Sequence, residues 1–102
     1  MRVVWSPLAI DRVETIARGI AADRPAAAER WVRNVFARVG QLRRYPSSGR
    51  MVPEFGREEL RQLPRAPYRL IYRIESKRVL VLTVRHGREE LDPAEVGDTD
   101  PL

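Results

Sequence analysis

The chain has 102 residues, a net charge of +5 and no cysteine. This length predicts one domain that buries about two-thirds of its unfolded surface, and the missing cysteine excludes disulfides, thiol catalysis and thiolate metal sites. No apolar run approaches the roughly 20 residues of a membrane helix. Met1-Arg2-Val3-Val4-Trp5-Ser6-Pro7 lacks the apolar core of a signal peptide, so a cytoplasmic protein with no membrane contact is expected.

Charge is unevenly spread. Every base except Lys77 is an arginine, and Glu89 to Leu102 holds six acids and no base. Residues 1–88 therefore carry 19 bases against 8 acids. Such a body attracts nucleic acid, the ribosome or an acidic protein.

Arg2 to Trp5 is β-branched and aromatic and reads as a first strand. Ser6 is a good N-cap and Pro7 a good first helical residue. The helix they start should run to about Ala22, with Ala9, Val13, Ile16, Ile20 and Ala21 on its apolar stripe. Asp11 and Glu14 near its start suit the helix dipole. Asp23-Arg24-Pro25 breaks the chain, and a second helix should run from Pro25 to about Tyr45. Its stripe is Ala28, Val32, Val35, Val39 and Leu42, flanked by Trp31 and Phe36, with arginines covering the rest. So short a link requires an antiparallel helical hairpin.

Pro46-Ser47-Ser48-Gly49 ends that helix. Arg50 to Arg57 is a connector whose Met51, Val52 and Phe55 should tuck under a sheet edge. Glu58 to Leu63 reads as a bulged or edge strand, and Arg65-Ala66-Pro67 as a turn. Tyr68 to Ile74 and Val79 to Arg88 then form a hairpin reversing at Glu75-Ser76-Lys77-Arg78. With Ile74 opposite Val79, Tyr72 faces Val81, Leu70 faces Thr83 and Arg69 faces Val84. Alternation then assigns Tyr68, Leu70, Tyr72, Ile74, Val79, Val81 and Thr83 to the core face. Arg69, Ile71, Arg73, Leu80, Leu82, Val84 and His86 share the other face, an apolar floor rimmed by cations. Arg69 and His86 become diagonal neighbours roughly 7–8 Å apart. One domain over residues 1–90 and an irregular acidic tail over 91–102 are expected.

No glycine-rich phosphate loop, HExxH motif or metal-ligand cluster occurs, and no metal or cofactor is expected. Arg61, Arg65, Arg69, Arg73, Arg85, His86 and Arg88 gather around the last three strands. Arginines there could neutralise a phosphate in a transition state, with His86 as general acid or base. The plainer reading makes His86 a strand-end residue bonded to its neighbours, and Arg69 and Arg73 snorkelling cations.

The order strand–helix–helix–strand–strand–strand, the run Tyr45 to Glu54, the strand Tyr68-Arg69-Leu70-Ile71-Tyr72 and the strand end Val84-Arg85-His86-Gly87-Arg88 together resemble the RelE/ParE superfamily of bacterial type II toxins over about residues 2–90. The resemblance implies an α+β fold, β-α-α-β-β-β, with a helical hairpin on one face of an antiparallel sheet. It implies a growth-inhibiting toxin neutralised by a cognate antitoxin, with higher-order toxin–antitoxin assembly as a further option. The long hairpin and the Pro46 to Glu54 connector are closer to ParE, whose members inhibit DNA gyrase. The alternative is a RelE-like, ribosome-dependent mRNA endoribonuclease, in which Arg69, His86, Arg61 and Arg88 would be catalytic. Lysines on the second strand and a tyrosine after the last one, usual in RelE, are missing here. A further alternative is a non-toxic binding module. Arg65, Arg73 and Arg85, with the floor of Ile71, Leu80, Leu82 and Val84, are the expected binding surface for antitoxin or target.

Overall fold

A computed structural model describes residues 1–97. The elements are β1 (Arg2–Trp5), α1 (Pro7–Ala21), α2 (Pro25–Gly40), a 3-10 turn (Gln41–Arg43), β2 (Arg50–Met51), β3 (Leu60–Arg65), β4 (Tyr68–Ile74), β5 (Arg78–His86) and α3 (Pro93–Val96). The strands form one sheet in the order β1-β5-β4-β3-β2. The α+β class and the helical hairpin are as expected.

The sheet is mixed rather than antiparallel. β1 runs parallel to β5, Val3 beside Val79 and Trp5 beside Val81, whereas all other neighbours are antiparallel. The tight β4–β5 hairpin satisfies only one edge of β5, and β1 pairs with the other. The helical hairpin starts the crossover that parallel neighbours require. β5 is thus an inner strand with both faces covered. Its nearly unbroken apolar run, Val79 to Val84, has that meaning.

Ser6 ties β1 to α1. Its hydroxyl accepts from the Ala9 N–H at 3.1 Å and donates to the Leu82 carbonyl at 2.8 Å. Its own N–H donates to the Val81 carbonyl at 2.9 Å. Asp11 and Glu14 lie beyond the first turn of α1, which holds no acid. α2 gives way to the 3-10 turn at Gly40, short of Tyr45.

Two apolar layers result. Ala9, Val13, Trp31, Val35, Val39 and Leu42 of the helical layer pack on Leu63, Leu70, Tyr72, Val79, Val81 and Val84. On the other face Leu60, Ile71, Leu80 and Leu82 are covered by Val52 and Phe55 of the connector and by Leu91 and Val96 near the C-terminus. The tail expected to be irregular therefore supplies α3, which Asp92 and Glu95 close with a reciprocal capping box. Residues 98–102, with Asp98 and Asp100, lie outside the described residues.

The β4–β5 register follows expectation from Ile74–Val79 to Tyr72–Val81 and then shifts. Ile71 faces Thr83, Leu70 faces Val84, Arg69 faces Arg85 and Tyr68 faces His86. Leu82 is the extra residue of a β-bulge, which puts two residues of one strand against one of the other. Ser6 takes the Leu82 carbonyl, and Glu95 accepts from the Thr83 hydroxyl at 2.9 Å. Beyond the bulge every β5 side chain has changed face. Val84 joins the helix-side core, and Thr83 joins the layer of α3.

Candidate functional site

The bulge separates the two residues on which a nuclease site would depend. His86 stands opposite Tyr68, the ring centroids 5.8 Å apart in edge-to-face geometry. Tyr68 also meets Trp31 of α2, so both rings lie on the helical side. Arg69 follows Tyr68 and points to the opposite face. The expected diagonal contact between Arg69 and His86 does not form.

Arg69 is only 8% exposed. Its two terminal nitrogens hold both carboxylate oxygens of Glu54, Nη1 to Oε1 at 3.0 Å and Nη2 to Oε2. They also donate to Gln62 Oε1 at 3.0 Å and to the Glu89 carbonyl at 2.7 Å. Nη1 and Nη2 are thus fully engaged, while the buried Nε has no hydrogen-bond partner among the described residues; a phosphate could reach the two terminal nitrogens only by displacing Glu54. The Arg69 hydrogen bonds hold the Glu54 carboxyl at a pKa of about 2, against an ordinary 4.5. Such bidentate guanidinium–carboxylate pairs are among the strongest polar contacts.

Other cations around the sheet are engaged within the chain as well. Arg85, directly opposite Arg69, makes three contacts of 2.6–3.1 Å to Glu95 and one of 2.9 Å to Glu89. Arg12 of α1 reaches the same Glu95 at 3.3 Å. Burial alone would raise the Glu95 carboxyl, but hydrogen bonds from Arg85 and Thr83 outweigh it and lower its pKa. Arg73 binds Glu75 and the Val96 and Gly97 carbonyls. Arg61 donates to the Glu58 and Gly49 carbonyls. Arg65 pairs with Tyr68 along the backbone, while its side chain lies outside the described residues.

The apolar floor is not a free surface. Ile71, Leu80 and Leu82 are 0% exposed under the chain's own connector and α3, and Val84 lies in the core under the helices. Leu91 and Glu95 occupy the position at which a partner segment was expected.

His86 and Arg88 remain accessible at the end of β5. The His86 N–H donates to Glu89 Oε1 at 3.2 Å, and its Nδ1 accepts from the Arg88 N–H at 3.2 Å. The ring borders a cleft of about 300 Å³ that also takes in Asp11, Arg12, Tyr68, Arg85 and Glu89. Among the described residues no cluster of acids and histidine could hold a metal ion, and no helix is long and apolar enough to cross a membrane.

Sequence reasoning passed over Glu54, Gln62 and Glu95. For Glu95 a signal existed: Asp92-Pro93-Ala94-Glu95 has the cap, first-turn proline and third-position acid of a helix start. Glu54 and Gln62 meet Arg69 only through tertiary structure.

The fold is a small α+β domain with a helical hairpin on one face of a five-stranded sheet and an arginine-rich surface. A sequence model described as "ParE toxin of type II toxin-antitoxin system, parDE" matches residues 3–91. The chain belongs to this family and is a toxin of the type II toxin–antitoxin class. It is 37% identical over 89 residues to "Putative toxin Y4kP" of Sinorhizobium fredii, covering 87% of this chain and 91% of that protein. Its fold resembles a chain of the solved "Chromosomal ParDE TA system from P. aeruginosa", with a TM-score of 0.70 and 20% identity over 84% of this chain and 95% of that one.

Proposed function

We propose that this toxin arrests growth by binding and inhibiting DNA gyrase, and that a cognate antitoxin neutralises it by direct contact. The observation carrying this reading is the placement of Arg69 and His86 on opposite faces, with both terminal nitrogens of Arg69 engaged by Glu54, Gln62 and Glu89. A phosphate-cleaving site needs its cation and its acid–base group within reach of one scissile bond. The family relationship supports the antitoxin as partner.

The test is to add the purified chain to a gyrase supercoiling reaction and, separately, to a cell-free translation reaction. Inhibited supercoiling with trapped DNA breaks and intact mRNA is the expected result. Cleaved mRNA with unaffected supercoiling would overturn the proposal in favour of a ribonuclease. Growth arrest relieved by co-expressing the neighbouring gene tests the antitoxin.

A further inference from the structure

The charges of this fold are segregated. Six of the seven cations in ion pairs, Arg12, Arg57, Arg69, Arg73, Arg78 and Arg85, pair with carboxylates of the segment before β3, the hairpin turn and the C-terminal segment. The seventh, Arg33, meets Glu29 only at 4.0 Å, with both side chains exposed. Residues 30–53 contain six arginines and no acid. Arg30, Arg38, Arg43, Arg44 and Arg50 are exposed, and none has an ion pair among the described residues.

Three of them, Arg38, Arg43 and Arg44, frame a shaped surface. A hollow of about 490 Å³ between α2 and β3 is lined by Asn34, Ala37, Arg38, Gln41 and Pro64. A second, of about 610 Å³, adjoins it through Ala37 and Gln41 and is rimmed by Arg43, Arg44 and Tyr45. The floor is small, and a Cβ added at Gly40 would meet nothing within 4 Å. The rim supplies guanidinium and carboxamide donors, with Tyr45 62% exposed.

We propose that the C-terminal half of α2, the 3-10 turn and the loop to β2 form a docking surface for the phosphate backbone of duplex DNA. The partial negative charge at the end of α2, about half a unit, is outweighed by Arg38, Arg43 and Arg44. The arginines project from a helix and a 3-10 turn, which suits a duplex carrying one charge per roughly 1.7 Å of axis. Single-strand binders need a row of stacking aromatics, and only Tyr45 lines these hollows. Protein interfaces centre on apolar and aromatic side chains with few charges, and no Leu, Ile, Val, Met or Phe lines either hollow. Neither Arg69 nor His86 lines either hollow, and the proposal is independent of which macromolecule the toxin poisons.

The test measures anisotropy of a labelled 20-base-pair random-sequence duplex with the full chain across a salt series. Binding with Kd of about 10⁻⁴–10⁻⁶ M near physiological salt is expected. The triple variant Arg38→Ala, Arg43→Ala, Arg44→Ala should reduce the slope of log K against log salt by about 2.7, at roughly 0.9 per lost contact. The charge-matched variant Arg18→Ala, Arg24→Ala, Lys77→Ala should change it by less than about 1. Equal losses in the two triples, or no loss in the first, would overturn the proposal. So would tighter binding of single-stranded DNA, duplex RNA or polyglutamate of similar length. Should the first triple fail to fold, Gln41→Glu, an exposed single change between the hollows, must still weaken duplex binding.

Discussion

Arg69 and His86 occupy neighbouring rungs of the β4–β5 ladder and face opposite sides of the sheet. The bulge at Leu82 is the cause, so the fold gives these residues separate tasks. Arg69 is structural: removing it takes the guanidinium donors from Glu54, Gln62 and the Glu89 carbonyl and leaves Glu54 the Leu91 N–H. Breaking such a pair by deleting one partner costs several kcal/mol in full burial. With Glu54 partly exposed, Arg69→Ala should cost about 2–4 kcal/mol, measured by urea unfolding followed through Trp5 and Trp31. A loss under about 0.5 kcal/mol would show that water replaces the guanidinium at little cost. Loss of toxicity in this variant is therefore no sign of catalysis.

His86→Gln separates chemistry from binding more cleanly. The ring is half-buried at the end of a strand, and its Nδ1 contact to the Arg88 N–H is local. Toxicity and the midpoint of unfolding should both persist. A general acid or base is worth about 10²–10⁴-fold in rate. Loss of growth arrest on that scale, with the fold intact, would revive the ribonuclease reading.

Acid should unfold the protein partly through Glu54. Its pKa is lowered to about 2 in the folded state. The stabilisation is complete above the unfolded value, near 4.5, and is lost as pH falls from about 5 towards 2. Discounted for the partial exposure of Glu54, the loss attributable to it is about 1–2 kcal/mol. Glu54→Gln should be less stable than the parent at pH 7 and should lose less between pH 6 and pH 3. Parallel stability curves would show that Arg69 does not distinguish the two forms of the carboxyl.

Gly49 and Tyr72 make a close contact under the loop before β2. The Tyr72 hydroxyl donates to the Pro46 carbonyl at 2.7 Å and accepts from the Gly49 N–H at 3.0 Å. A Cβ on Gly49 would come within 2.6 Å of that hydroxyl and 2.7 Å of the Gln62 carbonyl. Gly49→Ala must displace backbone and should cost about 2–3 kcal/mol. Tyr72→Phe orphans the Pro46 carbonyl and should cost about 1–2 kcal/mol. Thermal unfolding of both variants checks the order; a milder Gly49→Ala would mean that the loop relaxes freely.

The C-terminal layer should behave as core. Leu91 and Val96 are 6% and 4% exposed over Ile71, Leu80 and Leu82. Leu91→Ala should cost about 2–3 kcal/mol. Ending the chain after Glu90 should bare that apolar face and promote self-association, seen as a concentration-dependent mass in light scattering. A monomer of unchanged stability would show that the segment contributes nothing.

Strong periodic signals made much of this fold legible. The cap at Ser6, both helices and the first three rungs of the β4–β5 hairpin lie where spacing and turn chemistry put them. The face assignment failed beyond Leu82 because Val79 to Val84 is apolar on both sides, so a period of two cannot register an inserted residue. Parallel pairing of β1 was hidden for a related reason: a four-residue strand carries no mark of its direction. The Glu54–Arg69 pair joins residues with no local pattern between them. Arginine-rich composition announced a surface for polyanions, yet it could not say that the sheet-side guanidiniums are consumed internally.

The hydrogen bond from Ser6 to Leu82 spans 76 residues, which sets the order in which the molecule can be completed. At roughly 5–20 residues per second of synthesis, β1 waits several seconds for the strand that pairs with it. The lower layer waits longer still, for Leu91 and Val96. A nascent toxin thus exposes an unpaired strand edge until β5 is made, and apolar hairpin residues until Leu91 and Val96 follow it.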